Sequence, residues 1–274
     1  METAPDPREF MNRTPALLNG NTQWASNYAL ELRAVIVRHA SQAPRTLQRH
    51  LGPSELGAVC DRMVAGKMAA IPSTNHVVDP WASIVGTALH SWLEKAFAAE
   101  NYRSGMRWLT ERKVTPHPEH PGTADLYDAA YGGSVVDWKN LGETSMAKVK
   151  AVTGPPIHYQ VQLLLYGLGY RILGLPVRRV VLAALPRTRS TLDTMWVWER
   201  EISQHDDLLI EEVFQRTAIR KIFAKAITSG QISYMDVPAT PSDDECYFCP
   251  LYRPEAAKNP SVRGCPGTVG HRPN

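Results

Sequence analysis

Gly122–Lys139 reads GTADLYDAAYGGSVVDWK. Thr123–Ala129 alternates, Tyr131-Gly132-Gly133 is a turn signal, and Ser134–Asn140 is a second apolar run, so the stretch predicts two strands joined by a turn. Residues two apart on a strand share a face. Asp137 and Lys139 therefore point one way, and Trp138 points the other way, toward a core. If the strands pair antiparallel about the turn, Asp125 comes opposite or near Asp137. Two carboxylates held close are costly unless a cation lies between them, and oxygen ligands on a rigid sheet suit Mg²⁺ or Mn²⁺. A lysine beside that ion can orient or deprotonate a water and offset the charge of a phosphate. The same residues would equally serve a solvated hairpin with its charges in water, so the flanking sequence has to decide.

Upstream, Arg107–Pro116 alternates and predicts a strand with Glu111 at its centre. Trp81–Asn101 predicts a helix whose buried face is Leu89, Trp92, Leu93, Ala96 and Phe97; His90 lies about 100° round from Leu89. Downstream, Leu141–Pro156 reads as a polar loop carrying Lys148 and Lys150. Ile157–Leu173 reads as a helix on which His158, Gln162 and Tyr166 share a face. Arg179–Pro186 is continuously apolar, as a buried strand is. Thr194–Ile202 predicts another strand, and Asp206–Ser229 a long helix closed by Gly230. The order helix, strand, hairpin, helix, strand predicts an α/β core with a central mixed β-sheet flanked by helices.

The ends are less regular. Residues 1–50 form an N-terminal helical segment of unassigned role, with a helix at Asn27–Ala40. Residues 51–80 are a first cysteine segment, in which a helix capped by Ser54 runs through Leu51–Met68 with Cys60 on or near it. The core spans 81–235. Residues 236–274, rich in Pro and Gly, are a cysteine-rich tail that needs a metal or the main body to order it. The four cysteines are Cys60, Cys246, Cys249 and Cys265. Two disulfides are one reading; Cys246-x-x-Cys249 is also metal-ligand spacing. His117-x-x-His120 has the look of a second metal site, but in a proline-rich stretch without a carboxylate partner it reads as a plain loop. The formal net charge of +3 allows a basic groove without demanding nucleic acid. The polar start METAPDPREF is no signal peptide, and the apolar stretch Val161–Leu175 is too short to span a bilayer. The expectation is a soluble cytoplasmic protein with no membrane partner.

Gly86-Thr87-Ala88-Leu89-His90, Gly122-Thr123-Ala124-Asp125, Asp137-Trp138-Lys139 and Gln162-Leu163-Leu164-Leu165-Tyr166 follow in order over about Pro80–Arg171. In motif order and spacing the chain resembles the PD-(D/E)XK nuclease superfamily, and more narrowly its RecB-like branch. One cysteine before the core and three after it resemble the iron–sulfur members, which include CRISPR-associated exonucleases, phage relatives and helicase-nucleases. The resemblance implies a restriction-endonuclease-like fold and a [4Fe–4S] cluster on Cys60, Cys246, Cys249 and Cys265 that joins the N- and C-terminal segments. Zinc remains the other metal suited to those thiolates. The interval from Cys249 to Cys265 is longer than the branch's usual spacing, so its loop is expected to bulge away.

The activity implied is metal-dependent hydrolysis of DNA phosphodiesters by an exonuclease acting on single strands or ends. By resemblance, Asp125 and Asp137 bind Mn²⁺ or Mg²⁺ with His90 and the backbone carbonyl of Trp138. Lys139 positions the attacking water and stabilises developing charge, and Glu111 is a further acid. Gln162 and Tyr166 contact DNA or brace Lys139. Arg112, Lys113, Lys148, Lys150, Arg187 and Arg189 flank the site, and Tyr159 and Tyr166 are candidates to stack on bases. Two other readings compete. One is an idle nuclease-fold subunit that binds DNA or a protein partner in an integration, recombination, repair or helicase complex. The other is a zinc-stabilised structural protein.

Overall fold

The structure, a computed structural model, describes residues 23–41, 51–75, 79–259 and 261–270. Contacts divide the chain into two units, residues 1–47 and 48–274. In the first, helix α1 (Gln23–Ser41) covers the helix expected at Asn27–Ala40. The rest of the N-terminal segment, 1–22 and 42–50, lies outside the described residues.

The second unit is built on one sheet. Strands β1 (Trp108–Val114), β2 (Gly122–Asp128), β3 (Ser134–Leu141), β4 (Arg179–Pro186) and β5 (Trp196–Glu201) lie side by side in chain order. Every neighbouring pair is antiparallel except β3–β4, which is parallel. A parallel step needs a crossover, and here α5 (Glu143–Val149) and α6 (Ile157–Ile172) provide it. The β2–β3 hairpin closes from the pair Asp128–Ser134. Gly133 sits at φ +86 with the Pro176 carbonyl oxygen where a Cβ would be, so only glycine fits.

Alternation along the strands sends side chains to two apolar layers. On one face, α4 (Trp81–Ser104) sets Leu89, Leu93 and Phe97 against Leu126, Val136, Trp138, Ala183 and Leu185. Trp138 is thus a core residue, with its ring 5.3 Å from that of Phe97. Trp92, expected on this face, is instead 65% exposed. It lies about 100° round the helix from Leu93, off the stripe that Leu89, Leu93 and Phe97 already fill. On the other face, α6 packs Val161, Leu164 and Leu165 against Val135, Val180 and Leu182.

Against α6 lie α2 (Pro53–Leu56) and α7 (Gln204–Thr228), and α3 (Asp61–Met68) packs on α7. The single helix expected through Leu51–Met68 is two: Gly52, not Ser54, precedes the first helical turn, and Cys60 is the cap of α3. Two arginines of α7 hold the break open. Arg220 donates to the carbonyls of Leu56 and Ala58, Arg216 donates to that of Val59, and both reach Asp61 Oδ1 at 2.7 Å. The polar loop expected at Leu141–Pro156 contains α5, anchored by buried Met146 and Val149.

Candidate active site

The hairpin register pairs Leu126 with Val136, and one more step would set Asp125 opposite Asp137. The ladder stops there. The Trp138 N–H donates to Asp125 Oδ2 at 2.8 Å, so the carboxylate takes the place of a strand carbonyl. On the other side of β2 the paired residues Thr110–Leu126 and Arg112–Ala124 flank Glu111. Glu111 has φ +44, a left-handed conformation that costs a non-glycine residue about 1–2 kcal/mol. Strain of this kind persists only where the surroundings impose it. Here Glu111 meets His90, brought from α4, and Asp125: one ligand-type atom of each lies within 4.8 Å of the others. His90 Nδ1 is 3.3 Å from Asp125 Oδ1 and 4.0 Å from Glu111 Oε1. The hydrogen bond to Asp125 raises His90 above the usual imidazole value despite burial.

Asp137 and Lys139 project to the α6 face. Asp137 is 1% exposed. Gln162 Nε2 donates to Asp137 Oδ1 at 2.8 Å, while Gln162 Oε1 accepts from Lys139 Nζ at 3.0 Å. Lys139 Nζ lies 2.7 Å from Asp137 Oδ2. That oxygen is buried and its one charged neighbour is the ammonium, so a metal ion there would share it with Lys139. Burial pushes the Asp137 carboxyl up to about 6, with Lys139 pulling it down and Asp125 pushing it further up. Burial works the other way on Lys139, but Asp137 and Asp125 outweigh it and raise the amine. Lys139 is therefore held as an ammonium, suited to orienting a water or facing a phosphate rather than to taking a proton. Its Nζ also lies 4.9 Å from the centre of the Tyr159 ring.

Tyr166 is 5% exposed and packs in the core, 3.4 Å by its hydroxyl from Gln162 Nε2. Its place is behind Gln162, out of reach of a stacking base. Gly122 is pressed between Pro53 and Tyr166: a Cβ there would fall 2.6 Å from Pro53 Cδ and 3.0 Å from Tyr166 Cε1. Gly86 has open space where a Cβ would sit, so packing does not account for it. Among the basic residues, Arg189 pairs with Glu143 at 3.1 Å and Lys150 lies over the Trp196 ring; Arg112 and Lys113 are exposed.

A second constellation lies between the N-terminal part of this unit and the tail. Cys60, Cys246, Cys249 and Cys265 line one cavity, together with Arg62, Met63, Glu245, Tyr252 and Gly267. None is disulfide-bonded. Cys246 and Cys249 flank the end of α8 (Asp243–Phe248). Cys265 returns beside Leu251 through a parallel bridge at Tyr252, so the long interval between Cys249 and Cys265 leaves and rejoins the cavity wall at one point. Arg62 Nη1 donates to Cys265 Sγ at 3.3 Å, and its other nitrogens reach the carbonyls of Met235 and Val237. Asn75 donates to the carbonyls of Tyr247 and Cys249, and Thr74 to that of Leu251. Burial pushes the Cys249 thiol up to about 12; a thiol so placed ionises at neutral pH only when a bound cation offsets the charge. The cavity thus carries four sulfurs with a guanidinium beside one of them, although among the described residues no three of these sulfurs lie within 4.8 Å of one another. Arg62 was not singled out from the sequence; its only signal there is a basic residue two places after Cys60.

No protein-family profile and no curated protein matches the sequence. Among solved structures, the chain is similar to the alkaline exonuclease LHK-Exo from Laribacter hongkongensis, with 11% identity and a TM-score of 0.45 over 67% of this chain and 91% of that one. It is similar to a phage-related exonuclease from Haemophilus somnus 129PT, with 11% identity and a TM-score of 0.44 over 67% and 96%. It is also similar to SSO0001, with 18% identity and a TM-score of 0.38 over 82% and 92%.

Proposed function

We propose that this chain is a metal-dependent deoxyribonuclease of the PD-(D/E)XK type, acting as an exonuclease on DNA single strands or ends. The observation that carries the reading is the convergence of His90, Glu111 and Asp125 at the point where the hairpin ladder opens, with the buried Asp137–Lys139 ion pair on the facing strand β3. Asp125, Asp137 and His90 would hold Mn²⁺ or Mg²⁺, with the Trp138 carbonyl and Glu111 as further oxygen donors. When bound, the ion supplies Lewis-acid stabilisation of charge on the phosphate. Lys139, kept as an ammonium, orients the attacking water and faces the developing negative charge. Gln162 fixes Lys139 and Asp137 relative to each other, and Tyr166 supports Gln162 from the core.

The four cysteines that line one cavity support a [4Fe–4S] cluster with a structural role. Bound there, it would tie the segment around Cys60 to the tail. Protein purified without oxygen is expected to be brown and to contain iron and sulfide; a colourless, zinc-containing protein would replace the cluster with zinc. For the nuclease reading, end-labelled single-stranded DNA is incubated with Mn²⁺ and either wild type or Lys139→Ala. Degradation by wild type alone is expected. Equal degradation by both would misplace the site.

A further inference from the structure

His117, Glu119 and His120 stand in the loop between β1 and β2. Neither the hairpin chemistry nor the cysteine cavity uses them. One ring nitrogen of each histidine and a carboxylate oxygen of Glu119 lie within 4.8 Å of one another. The two imidazole rings are 5.2 Å apart, centre to centre. His120 is 4% exposed. Its Nδ1 lies 2.9 Å from the Leu51 carbonyl oxygen. A carbonyl can only accept, so Nδ1 carries the proton and Nε2 presents its lone pair. That Nε2 is buried and has no hydrogen-bond partner. Buried polar atoms are almost always paired, and a histidine fixed through one nitrogen to a backbone carbonyl, with the other nitrogen left as a lone pair, is oriented as metal ligands are.

His117 Nδ1 accepts the Glu119 N–H at 3.2 Å and lies 3.9 Å from Glu119 Oε2, so an ion bound at Nδ1 would displace that hydrogen bond. The His117 ring rests against Phe214 of α7, 5.1 Å away. Glu119 is exposed and ion-paired with Lys221 of α7, so a bound ion would displace that ammonium or share the carboxylate with it.

We propose that His117, Glu119 and His120 form a second metal site, selective for a zinc-class first-row divalent ion. Two imidazoles and one carboxylate are a zinc donor set, whereas Mg²⁺ and Ca²⁺ require mainly oxygen. Three protein ligands leave one tetrahedral position to solvent. The proposal is independent of the nuclease reading.

Full-length protein, stripped of loosely held divalent ions, is dialysed against Zn²⁺, and bound metal is counted for wild type and for His117→Gln/Glu119→Gln. Both altered residues reach solvent, so the fold is expected to survive, and circular dichroism checks it. The variant is expected to bind one zinc fewer per chain, or to hold that zinc with an affinity lower by about tenfold or more. Cobalt in the same site is expected to show ligand-field absorption without a thiolate charge-transfer band, which separates it from the cysteine cavity. His120→Gln is expected to behave as the double variant does. Equal zinc stoichiometry and affinity in wild type and double variant would overturn the proposal. So would zinc that disappears only with substitutions at the cysteines or at Asp125.

Discussion

Gln162 is bonded on one side to the candidate catalytic ammonium and on the other to a buried carboxylate. Replacing it by leucine keeps the volume and removes both bonds. Because catalytic groups misplaced by about 1 Å can lose about a hundredfold in rate, Gln162→Leu is expected to lower turnover by about that factor, and the buried Asp137 and Lys139 left without these bonds cost about 1–3 kcal/mol of stability. A variant that kept full turnover would show that Lys139 needs no brace. Asp128 makes a different residue-level prediction. Burial raises its carboxyl, but the two-pronged pairing with Arg107 and the Ala130 N–H outweigh burial and hold it below the usual value. The folded state therefore releases this proton more readily than the unfolded chain. The resulting stability is full above the ordinary carboxylate range and fades as pH falls through the lowered value. Asp128→Asn is expected to cost about 1 kcal/mol at neutral pH and to cost progressively less as the medium turns acid, as read by urea unfolding across that range.

Among the elements, the β2–β3 hairpin was legible because alternation, a Gly-Gly turn and a second apolar run agree over one short stretch. Arg179–Pro186 was legible to the residue, because a strand buried on both faces is apolar throughout. The misses have physical causes. Helix α5 is short and mostly polar outside, and its only signal is Met146 and Val149 one turn apart. The break before α3 depends on Arg216 and Arg220, more than 150 residues downstream, which no local pattern shows. The kink at Glu111 is likewise a tertiary effect. Glu119 was overlooked because the two histidines were read without the residue between them. Gly122 carries the element-scale prediction. It marks where β2 begins against α2 and α6, and Gly122→Ala has to displace Pro53 or Tyr166. Overpacking of this kind costs about 1–3 kcal/mol, so a lower denaturation midpoint is expected. An unchanged midpoint would mean that α2 yields freely.

At the scale of the molecule, the fold brings the chain's second unit back on itself. Arg62, Thr74 and Asn75, from the segment before the sheet, bind backbone and sulfur between Met235 and Cys265. The cysteine grouping was visible as spacing for Cys246 and Cys249 alone; that Cys60 and Cys265 line the same cavity depends on the whole topology. A metal group on the four sulfurs would close a loop round the entire sheet. Cross-links over loops of this length contribute on the order of 3–5 kcal/mol. Cys246→Ala is expected to lose the metal and to melt at a clearly lower temperature, with the tail cut first in limited proteolysis. Melting identical to wild type would remove the structural role.

The proposed nuclease activity requires a divalent ion at the opened hairpin. The direct measurement is the rate of release of label from single-stranded DNA as Mn²⁺ is titrated, for wild type and Asp125→Asn side by side. Wild type is expected to show a rate that rises from zero and saturates with Mn²⁺, and Asp125→Asn no measurable release although it remains folded. Release without added divalent ion in the presence of chelator, or an unchanged Mn²⁺ dependence in Asp125→Asn, would contradict it.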